Sequence, residues 1–157
     1  MSAPGSPFIL ASSGARAPND RGPLGPFGAD PDQPLSGADV LVVEDDGPCR
    51  RLLALLLREA GAHVNVAASA EDAEEFLAAH RPSLVVLDLI LPAASGLALA
   101  EHIRRDPATR DTRIVAVTSF NGPGGERLAI EAGCNAYVQK PIDVSTFAAT
   151  IASHLGE

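Results

Sequence analysis

The chain contains no tryptophan, one tyrosine and five phenylalanines in 157 residues, so aromatics make up only 4% of it. A core must then be assembled from Leu, Val, Ile and Ala, which an apolar content of 46% supplies. Cysteine is equally scarce. Cys49 and Cys134 lack metal-ligand spacing, which excludes a disulfide framework or a zinc knuckle and predicts two reduced thiols. Lys and Arg total 12 against 20 Asp and Glu, a net charge of −8, and no basic cluster occurs anywhere. Nucleic-acid binding needs clustered cations that displace counterions from phosphates, so no nucleic-acid partner is expected. No apolar run approaches the roughly 20 residues of a membrane span, and no cationic stretch followed by an apolar one opens the chain. These absences predict a cytoplasmic protein without a membrane partner. His63, His80, His102 and His154 are scattered, none beside a Cys or another His, and read as surface or helix-end residues.

What is present divides at about residue 38. Residues 1–37 hold 7 of the 13 prolines and 6 of the 14 glycines. Proline removes backbone donors and glycine costs entropy on ordering, so 1–37 is predicted to be a disordered tail. Phe8-Ile9-Leu10 is its apolar cluster. The folded domain is expected over 38–157.

From Ala38 onward, short apolar runs alternate with helical repeats. Val40-Leu41-Val42-Val43, Leu84-Val85-Val86-Leu87 and Ile114-Val115-Ala116-Val117 are continuous, as expected of strands covered on both faces. His63–Ala67 and 136–138 are weaker strand candidates. Cys49, Leu52, Leu53, Leu56, Leu57 and Ala60 fall on one helical face, which Gly61 ends. Asp46, ahead of Gly47-Pro48, is placed to cap that helix. Ser69 caps a second, Gly96–Arg105 and 123–132 supply two more, and Val144, Phe147, Ala148, Ile151 and Leu155 repeat the pattern at the end. Five strands and five helices in alternation predict an α/β three-layer fold with a parallel sheet in the flavodoxin-like order 2-1-3-4-5. Sites in such sheets lie at the carboxyl ends of the strands.

Those ends carry a specific set of residues. The first run ends in Glu44-Asp45-Asp46, the third strand in Asp88, the fourth in Thr118-Ser119, and the fifth is followed by Lys140-Pro141. Strands one and three are neighbours in the proposed order, so Glu44, Asp45 and Asp88 converge. Three carboxylates share a pocket only with a proton or a cation, and an oxygen-only cluster suits Mg²⁺. Lys140 adds a fixed positive charge and Thr118 a hydroxyl.

Four motifs in order, VLVVEDD (40–46), LVVLDLILP (84–92), VAVTSF (115–120) and AYVQKPI (136–142), resemble the receiver domain of two-component response regulators, the CheY-like superfamily. LPAASGL (91–97) and GCNAYVQKPI (133–142) are similar to single-domain regulators of the DivK type. The resemblance spans about 38–157. It implies that Asp88 accepts a phosphoryl group, that Asp45 ligates Mg²⁺ directly and Glu44 through water, and that Ile90 contributes its backbone carbonyl. It further implies that Thr118 and Lys140 bind the phosphoryl oxygens, that Ser119 offers its backbone N–H, and that the peptide before Pro141 is cis. Tyr137 would be the switch aromatic, its exposure coupled to Thr118. The implied partners are a sensor histidine kinase or a histidine phosphotransfer protein. A downstream effector would meet the face made by the fourth helix, fifth strand and fifth helix.

Other readings fit less well. A phosphorylation-independent docking module would not need the acids, Thr118 and Lys140. An aspartate-based phosphatase places a second Asp two residues beyond its nucleophile, where this chain has Ile90, which cannot transfer a proton. Flavin binding is opposed by the acids after the first strand. Gly122-Pro123-Gly124-Gly125 lacks the Gly-Lys-Ser/Thr ending of a phosphate loop.

Overall fold

The computed structural model describes residues 32–91, 95–119 and 124–155. Within them the chain alternates as the sequence predicts: β1 Asp39–Val43, α1 Gly47–Glu59, β2 His63–Ala67, α2 Ala70–Ala79, β3 Leu84–Leu87, α3 Gly96–Arg105, β4 Arg113–Thr118, α4 Gly125–Glu131, β5 Ala136–Gln139 and α5 Phe147–Leu155. The strands form one parallel sheet in the order β2-β1-β3-β4-β5. The register pairs Val43 with Leu87 and Thr118 with Gln139, which aligns the ends of the strands along one edge.

The continuous apolar runs are explained by the two cores. Val40, Val42, Leu84, Val86, Val115 and Val117 point to a core shared with α1 and α5. Leu41, Val43, Val85, Leu87, Ile114 and Ala116 point the other way, to α2, α3 and α4. Side chains alternate across a strand, so a strand buried on both faces needs apolar residues at every position. The caps follow the sequence too. Asp46 accepts the Cys49 N–H at 2.9 Å and Ser69 that of Asp72 at 3.0 Å. Gly61 (φ 103°) and Gly133 (φ 109°) take the left-handed turns that end their helices.

Three expectations are corrected. The tail assigned to 1–37 ends inside the domain. Leu35 is fully buried in the α1–α5 core, its N–H bonded to the Ala60 carbonyl at 2.8 Å, and Gln33 donates to Glu59. A Pro-flanked leucine carries no periodicity, so nothing local marked it as a strap across the end of α1. Residues 1–31, with Phe8-Ile9-Leu10, lie outside the described residues. Second, Val144 does not belong to the buried face of the last helix. It is 56% exposed, because Asp143 holds a turn through its bonds to Ser145 and Thr146 and α5 begins only at Phe147. Third, Leu52 lies on the flank of α1 and is 38% exposed, while Ala54 is buried in its stead.

The strap is testable. Leu35→Ala is expected to lower the unfolding free energy by about 2–5 kcal/mol, the usual cost of truncating a fully buried leucine. A urea melt reads this directly, and an unchanged midpoint would show that residues 32–37 do not hold the fold.

Candidate functional site

Glu44, Asp88 and Thr118 are buried polar residues, and all three sit at the ends of interior strands. Asp45 follows Glu44 and is exposed. One ligand atom each from Glu44, Asp45 and Asp88 lies within 4.8 Å of the others. The convergence inferred from strand order is therefore met, and its cause is the β1–β3 pairing.

The side chains around the cluster arrange it. The Thr118 hydroxyl donates to Asp88 Oδ1 at 2.9 Å, and the Ile90 N–H donates to the same oxygen at 3.0 Å. Lys140 Nζ reaches across from the end of β5, donating to Glu44 Oε1 at 2.5 Å and to Asp88 Oδ2 at 3.3 Å. The other Glu44 oxygen accepts the Asp46 N–H at 3.2 Å. The Lys140–Pro141 peptide is cis, as the resemblance implies. Burial pushes the Glu44 carboxyl above its usual range, and the bond from Lys140 only partly offsets this. Burial alone would pull Lys140 down. The bond to Glu44 and the charge of Asp88 outweigh it and hold the ammonium above its ordinary value.

The charges do not balance. Three carboxylates face one ammonium, and among the described residues no hydrogen bond reaches the Asp45 carboxylate. An oxygen-only cluster with an unpaired, solvent-facing carboxylate fits a hard divalent cation that keeps several waters.

Of the remaining residues inferred from sequence, Ser119 is exposed beside Lys140 in a surface groove of about 520 Å³. Pro48, Cys49, Leu52, Ile142 and Val144 make the groove largely apolar. Tyr137 is half-buried, packs against the second core and lines a groove of about 640 Å³ between α4 and β5. Ile90 is 54% exposed, and its hydrocarbon side chain cannot relay a proton. The cysteines are free, and burial pushes Cys134 up to about 11 and Cys49 upward as well, which leaves little thiolate near neutral pH. His63 and His102 sit in exposed pairs with Asp39 and Glu74.

Two contributors escaped the sequence reading. Ser95 caps α3, accepting from Leu97 and Ala98, and bridges to Ile90 in the acceptor loop. Arg50 donates to the backbone carbonyls of Glu44 and Asp45. A serine before Gly-Leu is a cap signal that could have been read. The arginine contact has no sequence signature.

The fold and the strand-end arrangement are those of a receiver-type signalling domain. The chain belongs to the response regulator receiver domain family, whose family model matches residues 40–152. It is 34% identical over 118 residues to the polar-differentiation response regulator DivK of Brucella anthropi, covering 75% of this chain and 96% of that protein. The DivK of Brucella ovis is equally similar. Among solved structures, the chemotaxis response regulator CheY4 of Vibrio cholerae superposes with a TM-score of 0.70 at 23% identity, over 74% of this chain and 98% of that one. A CheY-like response regulator receiver domain protein from Methanospirillum hungatei JF-1 gives 0.70 at 23% identity, over 75% and 93%. The protein is thus a response regulator receiver whose signalling depends on phosphorylation. Receiver domains as a class interact with histidine kinases and effectors. Among the described residues no helix is long and apolar enough to cross a membrane.

Proposed function

We propose that Asp88 is the phosphoacceptor of a cytoplasmic phosphorelay switch, supported by Mg²⁺ at the Glu44–Asp45–Asp88 cluster. The observation that carries this reading is the shared aim of Thr118, the Ile90 N–H and Lys140 at the Asp88 carboxylate. In the transfer, an Asp88 oxygen forms a bond to phosphorus as the P–N bond of a phosphohistidine donor breaks. The imidazole leaves with the bonding pair and takes up a proton. The donor is a sensor histidine kinase or a histidine phosphotransfer protein. Asp45 and Asp88, with the Ile90 carbonyl and Glu44, would hold Mg²⁺, which would supply positive charge to the phosphoryl oxygens.

Lys140 then exchanges its 3.3 Å contact with Asp88 for one with a phosphoryl oxygen. Thr118 does the same, and the Ser119 N–H binds another oxygen. As Thr118 re-aims its hydroxyl from Asp88 to the phosphoryl group, Tyr137 changes its exposure beside the α4–β5 groove. An effector reads the change on the face made by α4, β5 and α5. This is a population shift driven by the better contacts of the phosphorylated state. The chain is a phosphoacceptor that catalyses phosphotransfer to itself from the donor and its own dephosphorylation, rather than an enzyme with an external substrate.

Intact-protein mass after incubation with acetyl phosphate tests the reading. One phosphoryl adduct is expected with Mg²⁺ and none with excess chelator. Equal labelling in both would remove the metal from the mechanism. No labelling by acetyl phosphate or by phosphorylated kinases would reject the switch.

A further inference from the structure

Arg50 stands where helix electrostatics disfavour it. It lies in the first turn of α1, close to the positive pole of the helix, where the acid that offsets the pole is the N-cap Asp46. Its guanidinium folds back instead of extending into solvent. Nη1 donates to the Glu44 carbonyl at 2.9 Å and to the Asp45 carbonyl at 3.2 Å. These are the two consecutive residues whose side chains supply two of the three acids of the cluster.

The two acids are not held equally well. Glu44 is fixed through its own carboxylate by Lys140 and the Asp46 N–H. The Asp45 carboxylate accepts no hydrogen bond among the described residues, so its direction is set by the backbone that carries it. That backbone is what Arg50 clamps.

We propose that Arg50 is a positioning residue for the metal: by bonding both carbonyls with one nitrogen, it fixes the Glu44–Asp45 backbone and so aims the Asp45 carboxylate into the cation site. The inference rests on the reading of the cluster as a Mg²⁺ site. Arg50 touches neither the metal nor the phosphoryl group. Its charge alone would repel a divalent cation, so the clamp and the charge act in opposite directions and can be told apart.

The test is calorimetric titration of the full chain with Mg²⁺, in wild type, Arg50→Met, Arg50→Gln and Arg50→Lys, beside thermal melts in chelator. Wild type that binds no Mg²⁺ removes the underlying reading itself. Given wild-type binding, Arg50→Met and Arg50→Lys are both expected to weaken Mg²⁺ about 10- to 100-fold, the usual range for lost outer-shell support. Lysine keeps the charge but is shorter, so its ammonium is not expected to reach both carbonyls as Nη1 does. Arg50→Gln, which removes the charge and is too short to reach both carbonyls, is expected to weaken binding as Arg50→Met does, and it serves as the deciding variant should Arg50→Met not fold. Tighter binding in Arg50→Met, or wild-type affinity in Arg50→Lys, would make Arg50 a charge effect and overturn the proposal. Lower melting temperatures with unchanged Mg²⁺ affinity would reduce it to a structural residue.

Discussion

Asp88→Asn is expected to abolish the phosphoryl adduct while leaving the metal-free fold about as stable as wild type. Asparagine is nearly isosteric, so its carbonyl oxygen still accepts from Thr118 and from the Ile90 N–H, the two bonds now made to Oδ1 at 2.9 and 3.0 Å. The other oxygen becomes an amide nitrogen with no available lone pair to attack phosphorus. Stability changes little, because losing the Asp88 charge relieves its repulsion of Glu44, one of the causes that raise the Glu44 carboxyl, while it removes an attraction to Lys140. Lys140 keeps its shorter bond to Glu44. Mg²⁺ should bind more weakly, since one of three acids is gone. Intact mass after acetyl phosphate and a chelator-containing thermal melt check both halves. Undiminished labelling in the variant would move the acceptor to another residue. A melting temperature well below wild type would show that Asp88 is chiefly structural.

The second large effect concerns Gly96, which opens α3. Helix propensity alone favours alanine over glycine by about 1 kcal/mol in a helix interior. Here sterics win. A Cβ on Gly96 would lie 2.3 Å from the Asp88 carbonyl oxygen, 2.6 Å from Leu89 Cα and 3.0 Å from the Leu89 carbonyl carbon. All three are backbone atoms, and backbone cannot rotate away as the end of a side chain can. Overpacking costs about 1–3 kcal/mol where neighbours can adjust and more where they cannot. Gly96→Ala is therefore expected to lose about 3 kcal/mol or more.

It should also lose phosphorylation beyond what the folded fraction explains, because the displaced backbone is that of the acceptor itself. The Gly96 N–H, bonded to the Leu89 carbonyl at 3.0 Å, ties α3 to this same loop. Gly124→Ala is the matched control. A Cβ there meets nothing within 4 Å, and only its positive φ of 82° opposes it, a cost of about 1–2 kcal/mol. Denaturant melts of the pair, with labelling normalised to folded protein, separate the two mechanisms. Equal losses in both variants would show that the close approach at Gly96 is relieved at little cost.

These effects lie at different distances from what the sequence can express. The order of the strands, their double-sided burial and the helix caps at Asp46 and Ser69 were legible, because periodicity and capping are local. Glu44, Asp45, Asp88, Thr118 and Lys140 were legible for a related reason. Once the strand order is inferred, every strand end is sent to the same edge, and the residues found there must meet. Gly96 showed only as the start of a helix. Its intolerance of a Cβ comes from a loop that returns within 3 Å of it, a distance no pattern encodes.

The sequence by itself determined the alternating α/β architecture and the identity of the acids, hydroxyl and ammonium that converge. Hydrophobic period and capping chemistry act over one or two turns and can be read in order along the chain. Only the tertiary structure decided the rest. Leu35 became core because the end of α1 offered a place for it. Arg104 came to bond Gly133 and Asn135, joining α3 to the start of β5. Arg50 came to hold the backbone of the acids. Such contacts depend on where a long side chain or a strap meets another element in space, and on which backbone carbonyls that element leaves open.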